Sequence, residues 1–222
     1  MTTLTAADFA DTGQWRLLLF IGGRGLTAYL ENTIHPEIEL QKLCEEKWPQ
    51  DESMLCKHIE EAVYNNPRLL DDFATKIVID APQTIFMPSV LAQQSIGAEE
   101  NAFLKVYDAA EEDIMTDQDR DITAIWSPGT GVKCFLMRTF PGARITCQLM
   151  DKIRNMRKDN RGLSCYVFPR ELATEFILLK DSSLLSASSQ EIIGKDKIKN
   201  FLSKLLDAYE IDERDINIEF RN

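Results

Sequence analysis

The sequence lacks the apolar segments that mark membrane and secreted proteins. Its longest uninterrupted apolar run, Leu17–Ile21, has five residues, whereas a membrane-spanning helix needs about 20. Residues 1–13 have neither the positive charge nor the apolar stretch of a signal peptide. We therefore expect a cytoplasmic protein without a membrane partner.

Cysteine and histidine are few and scattered. The chain has five cysteines, two histidines and no C-x-x-C motif, so no zinc-ligand spacing can be built. Cys56 and His58 are two residues apart, which places them on different faces of a helix. We expect reduced cysteines that are mostly buried, and neither a metal nor a cofactor.

Basic residues are outnumbered by acidic ones, 25 to 36, and the net charge is -11. Such a chain repels phosphate backbones, so we expect no nucleic-acid partner. Residues 99–121 hold nine acidic and two basic side chains, and residues 133–161 hold eight basic and two acidic ones. These stretches could be ordinary solvated helix faces, could pair with each other, or could offer Arg154, Arg157 and Lys158 to a binding partner.

Hydrophobic patterning predicts a hairpin near the start of the chain. The apolar run 15–22 and the alternating segment 26–33 are typical of strands. The turn between them consists of Gly22, Gly23, Arg24 and Gly25. Because glycine supplies the positive φ of tight hairpin turns, this segment favours a turn. A weaker strand at 37–46, a helix at 52–65 and a strand at 76–80 follow.

The same order of elements recurs between residues 163 and 220. The pattern predicts strands at 163–168, 172–180 and 184–192, a helix at 195–209 and a strand at 215–220. Both ends therefore read strand, hairpin turn, strand, strand, helix, strand. This order indicates a duplication, although hairpin-plus-helix units are also common in unrelated α+β folds.

The middle of the chain gives a weaker pattern. We predict partial helix over 84–107, with Pro88 in a first turn, and then an acidic connection over 108–121. The remaining predicted elements are a strand at 122–127, a helix at 132–140, a strand at 143–147 and a helix at 148–158.

The segment Pro128–Gly131 before the predicted helix 132–140 could be a phosphate loop, with Lys133 following. It lacks the G-x-x-x-x-G-K-[ST] spacing. A strand-to-helix turn capped by Thr130 is the interpretation that we favour.

Three stretches carry a resemblance: Trp15–Tyr29, Lys76–Pro82 with the downstream IFMP, and Leu163–Ser186 with the helix and the DINIEF segment that follow. A duplicated β-β-β-α-β unit is the core of the ribonuclease H-like fold, and two such units in tandem resemble the actin-like ATPase superfamily. More narrowly, the chain resembles a family of uncharacterised bacterial proteins, a domain of unknown function regarded as a degenerate member of that superfamily.

The resemblance covers nearly the whole chain and implies an α/β fold with mixed sheets. It implies a first ribonuclease H-like lobe over residues 14–160, with an acidic connection at 99–121. A second, shorter lobe would cover residues 161–222.

The resemblance also implies where phosphates would bind, because actin-like ATPases hold them in two hairpin turns of the form Asp-x-Gly. The first turn would be formed here by Gly22, Gly23, Arg24 and Gly25. It keeps the glycines but has an arginine and no aspartate. The second turn, Phe168–Leu172, has no glycine and contains proline, which lacks an N–H.

A ribonuclease H-like nuclease would need clustered carboxylates that begin inside its first strand. Neither Leu17–Ile21 nor Leu163–Phe168 contains an acid. Asp80 stands at the end of a predicted strand, and we interpret it as a turn residue.

We therefore expect no catalysis from this chain. The function that we predict is partner binding or self-association on a degenerate actin-like scaffold. The alternative is a nucleotide-binding or phosphotransfer protein with an altered phosphate site. A third reading, another α+β fold with a small-ligand pocket, also fits the sequence.

Overall fold

The computed structural model of the chain describes residues 12–92, 97–170 and 173–221. The strands in these ranges are β1 (Trp15–Gly22), β2 (Gly25–Asn32), β3 (Gln41–Lys47), β4 (Ala74–Ile79), β5 (Thr84–Pro88), β6 (Met115–Asp119), β7 (Ile122–Trp126), β8 (Arg144–Cys147), β9 (Leu163–Pro169), β10 (Thr174–Lys180), β11 (Ser183–Gln190) and β12 (Asn217–Phe220). The α-helices are α1 (Leu55–Asn65), α2 (Ser89–Ala92), α3 (Ala98–Leu104), α4 (Val132–Thr139), α5 (Gln148–Asp159) and α6 (Lys195–Ala208).

The chain divides into two compact units, each built from three segments. The first unit consists of Met1–Gln83, Gly97–Asp117 and Ile125–Gln148. The second consists of Thr84–Ile96, Gln118–Ala124 and Leu149–Asn222. The lobe boundary after residue 160, inferred from the sequence, stays a prediction.

The first unit contains a five-stranded sheet in the order β3-β2-β1-β4-β8. Strands β1 and β2 form an antiparallel hairpin, and β1, β4 and β8 run parallel. Strand β1 alternates in burial because successive side chains point to opposite faces of the sheet. Leu17, Leu19 and Ile21 are buried on one face. Helix α1 buries Ile59 and Val63, one turn apart.

The second unit contains a four-stranded sheet in the order β11-β10-β9-β12. This order repeats β3-β2-β1-β4 of the first unit, so the predicted duplication is confirmed. One face of the sheet packs against α6. That core consists of Cys165, Val167, Phe176, Leu178, Ile198, Leu202 and Leu206.

A third sheet, in the order β5-β7-β6, differs from the sequence prediction. Residues 84–88 form a strand rather than the start of a helix, and Pro88 ends it. Proline is compatible with that place because β5 is an edge strand, where an N–H is dispensable. Strand β6 replaces part of the predicted acidic connection over 108–121.

Among the described helices, none combines the length and the apolar character required to cross a bilayer.

Candidate functional site

The first hairpin turn is a tight two-residue connection in which Gly22 lies opposite Gly25. The structure corrects the reason for its glycines: Gly22, Gly23 and Gly25 do not have positive φ. A Cβ on Gly25 would lie 2.5 Å from the carbonyl oxygen of Glu46 in β3. Gly25 is therefore required by the close approach of a neighbouring strand. A Cβ on Gly23 would meet nothing within 4 Å.

The hairpin turn is fastened to the segment that follows β3. The indole Nε1 of Trp48 donates to the Gly23 carbonyl at 3.1 Å, and the Trp48 backbone N–H donates to the Arg24 carbonyl at 3.0 Å. The exposed Arg24 side chain donates from Nε to Gln50 Oε1 at 3.3 Å. Trp48 stacks on His58, with ring centroids 5.7 Å apart. The backbone of the turn is thus engaged in contacts within the same chain.

Asp80 lies next to this hairpin, directly after β4. Its backbone N–H donates to the Ile21 carbonyl at 2.8 Å, which extends the parallel pairing of β1 and β4 by one bond. Its role as a turn residue stays a prediction.

The second hairpin holds a buried carboxylate that the sequence analysis missed. Glu175 on β10 is 2% exposed. Its Oε1 accepts from Arg170 Nη1 at 3.0 Å, and its Oε2 contacts Lys152 Nζ. Lys152 Nζ also lies 4.4 Å from the centroid of the Phe168 ring. Lys152 and Arg170 at this hairpin therefore face an acid of the same chain. Glu171 and Leu172 of the turn lie outside the described residues.

The glycine loop before α4 is also occupied by an internal acid. Gly131, with φ of 74°, is the N-cap of α4, so the predicted cap at Thr130 is wrong. The Gly131 N–H donates to Asp113 Oδ1 at 2.9 Å, and Asp113 is 5% exposed. A carboxylate at a helix N-terminus satisfies an otherwise unpaired donor. Lys133 donates from Nζ to the Ile114 carbonyl at 2.7 Å.

The basic residues proposed as a partner surface lie mainly inward. Arg157 is 2% exposed, with Nη1 at 3.2 Å from Asp119 Oδ2 and Nη2 at 3.0 Å from Asp121 Oδ1. The second of these is a charge contact without hydrogen-bond geometry, and Arg157 Nε is buried without a hydrogen-bond partner. Arg154 donates from Nη2 to the Gln118 carbonyl at 3.1 Å. Lys158 is exposed and donates to Asn155 Oδ1.

This arrangement corrects the assignment of Arg157 to a partner-binding surface. The acidic and basic stretches pair with each other here, which was one of the alternatives that the sequence left open. Buried arginine is tolerated where its charge meets carboxylates.

The missed acids had only a weak signal in the sequence. Glu175 directly precedes the apolar run Phe176–Leu179 of β10, and a charged residue that is buried in a strand is usually paired. Asp113 follows Glu111 and Glu112, and nothing in the sequence distinguishes it from them. Across the described ranges, no group of three or more His, Cys, Asp and Glu side chains could hold a metal ion.

No protein-family model and no curated protein matches this chain. Among solved structures, it is similar to a Bacteroides thetaiotaomicron protein with actin-like ATPase fold and unknown function, with a TM-score of 0.82 and 18% identity over 97% of this chain and 84% of that one. It is also similar to the cytoplasmic domain of EpsL from Vibrio cholerae, an inner membrane component of the type II secretion system (TM-score 0.45, 8% identity, 93% and 82% covered). A third is the type II variant of the Aquifex aeolicus Ppx/GppA phosphatase (TM-score 0.41, 12% identity, 88% and 62% covered).

The first similarity shows the fold. The chain has the mixed α/β architecture of the actin-like ATPases, as its duplicated strand order indicates. At this level of identity, fold does not determine function.

Proposed function

We propose that this chain, which has the actin-like ATPase fold, is a non-catalytic protein that acts by binding a protein partner or a second copy of itself. One observation carries the proposal: groups that could meet a phosphate are engaged by acids of the same chain. Glu175 lies between Lys152 and Arg170 at the second hairpin, and Asp113 accepts from Gly131 at the glycine loop. A nucleotide would have to displace these carboxylates from buried positions.

The helices of the first unit support the binding part of this proposal. Tyr64 on α1 is 58% exposed and Met137 on α4 is 57% exposed. Tyrosine and methionine are enriched in protein interfaces. The Tyr64 ring also contacts Phe135 of α4 edge-on at 6.1 Å, which holds it in place at the surface.

A thermal-shift titration with ATP and ADP, each with magnesium, tests the non-catalytic assignment. We expect no shift in the melting temperature. A ligand at 100 times its dissociation constant would add about 2.7 kcal/mol, or roughly 5–10 °C for a chain of this size. A shift of that size would contradict the proposal.

A second candidate function, nucleotide binding at an altered phosphate site, is favoured by one observation. The exposed Arg24 stands in the first hairpin turn, where the position of Gly23 leaves open space. The same titration on Arg24→Ala separates the two. A shift that disappears in this variant assigns the nucleotide to the turn, and a shift that persists places it elsewhere.

Sedimentation velocity over a range of protein concentrations tests self-association. If a second copy is the partner, the sedimentation coefficient rises with concentration. The double variant Tyr64→Ser, Met137→Ser should weaken that rise. Val90→Ser is the matched control, because Val90 is an exposed apolar residue of the second unit. If Val90→Ser weakens the rise of the sedimentation coefficient equally, α1 and α4 are not the binding surface.

A further inference from the structure

Two cysteines lie where the first turns of α1 and α4 meet. Cys56 is the second residue of α1, and Cys134 is the third residue of α4. A Cβ built on Gly131, the N-cap of α4, would lie 3.6 Å from Cys56 Sγ. Cys134 is three residues after Gly131, and residues with that spacing are neighbours on a helix surface. The two thiols therefore belong to one small region of the first unit.

The five cysteines differ in accessibility. All are free thiols; Cys134 is exposed, Cys44 and Cys56 are half-buried, and Cys147 and Cys165 are buried. Cys44 lies on β3. The pair on α1 and α4 thus combines an exposed thiol with a half-buried one from an adjacent helix.

We propose that Cys56 and Cys134 form a reversible disulfide when the protein meets a peroxide. The Cys134 thiolate attacks hydrogen peroxide, so a sulfur–oxygen bond forms, the peroxide bond breaks and hydroxide leaves. The Cys56 thiol then attacks the sulfur of the resulting sulfenic acid, and the sulfur–oxygen bond breaks. The Cys56 proton and the leaving hydroxide form water. In total, two thiols and one peroxide give one disulfide and two waters.

The surroundings suit these two roles. Cys134 is solvent-exposed in the first turn of α4, where a peroxide can reach it. Burial, together with the nearby carboxylate of Glu60, raises the pKa of the Cys56 thiol, so the first attack on the peroxide falls to the exposed Cys134.

Thiol counting on the full-length protein tests the proposal. After treatment with hydrogen peroxide and removal of the excess, the denatured protein should react with Ellman's reagent at three thiols instead of five. Peptide mapping should give a single linked pair, Cys56 with Cys134, and dithiothreitol should restore five thiols.

Three variants make the assignment specific. Cys134→Ser should form no disulfide. Cys56→Ser should leave a sulfenic acid on Cys134 that dimedone traps. Cys44→Ser, the half-buried control, should still form the Cys56–Cys134 link. Five remaining thiols in the wild type, a link between other cysteines, or sulfinic acid at Cys134 beside an unmodified Cys56 would each overturn the proposal.

Discussion

At the residue scale, Gly25 is the position of the first hairpin where the backbone leaves least room. An alanine Cβ there would lie 2.5 Å from the Glu46 carbonyl oxygen, which belongs to the backbone of β3 and cannot rotate away. We predict that Gly25→Ala lowers the free energy of unfolding by about 1–3 kcal/mol, as overpacking does in cores. Urea unfolding measures the change.

Gly23→Ala is the matched control in the same turn. Its new Cβ would meet nothing within 4 Å, and its φ is not positive. We expect a change within about 0.5 kcal/mol, typical of a surface position. Equal losses for the two alanines would contradict the role given to the β3 contact.

Cys165 carries a second prediction at the residue scale. Its burial in the second unit raises the pKa of its thiol to about 12. The folded state thus holds the proton more tightly than the unfolded chain, where a thiol titrates near 8.5. The stability that comes from this tighter proton binding is complete below about pH 8.5 and is lost as the pH rises towards 12.

The stability difference between the wild type and Cys165→Ala should therefore shrink above pH 8.5. The upper limit is about 1.4 kcal/mol per pH unit, the value for one proton. Urea unfolding at pH 8, 9 and 10 measures it, with Cys134→Ala as the exposed control. A constant difference across this range would contradict the raised pKa.

At the scale of single elements, α5 is tied to the hairpin of β6 and β7 by Arg157. Its guanidinium meets Asp119 and Asp121, whose side chains are 24% and 59% exposed. Removing one partner from a buried ion pair costs about 3–5 kcal/mol. Because Asp121 is partly solvated, we predict a loss of about 2–4 kcal/mol for Arg157→Ala.

Lys158→Ala is the control for Arg157, one position along α5. Lys158 is exposed, so we expect a change within about 0.5 kcal/mol in chemical denaturation. Similar losses for both variants would mean that helix propensity, rather than the ion pair, sets the effect.

The elements also differ in how far the sequence predicts them. Strand β1 and helices α4, α5 and α6 match their predicted ranges closely. Strand β1 is an apolar run of strand length, and the apolar residues of α5 and α6 recur at the helical period. Strand β6 was missed because its aspartates are satisfied at long range: Asp117 accepts from Thr146, and Asp119 meets Arg157. Sequence periodicity carries no information about such contacts. For the same reason, the sequence placed Arg157 on a surface.

The candidate site, too, depends on contacts between residues that are distant in the sequence. The predicted hairpin turn over Gly22–Gly25 exists, but the reason for Gly25 is a neighbouring strand that the sequence cannot place. The buried acids Asp113 and Glu175 became evident only through partners that are distant in the sequence, Gly131 and Lys152.

At the scale of the whole molecule, the second unit has helices against both faces of its sheet. Helix α6 packs against the face with Val167 and Phe176. On the opposite face, Phe168 lies opposite Glu175, and both contact Lys152 of α5. That opposite face also buries Ile177 and Leu179 completely. Helix α5 therefore belongs to the packing of this sheet, although the predicted lobe begins at residue 161.

Two fragments test where the second lobe begins. Fragment 161–222 lacks α5 and its Lys152 contacts on the face with Ile177 and Leu179, whereas fragment 149–222 keeps those contacts. We predict a cooperative urea transition for 149–222, and a broad transition with strong binding of an apolar dye for 161–222, because an uncovered apolar sheet face does not support independent folding. Cooperative unfolding of both fragments at the same urea concentration would place the boundary after residue 160 and would make α5 a connector rather than part of the second core.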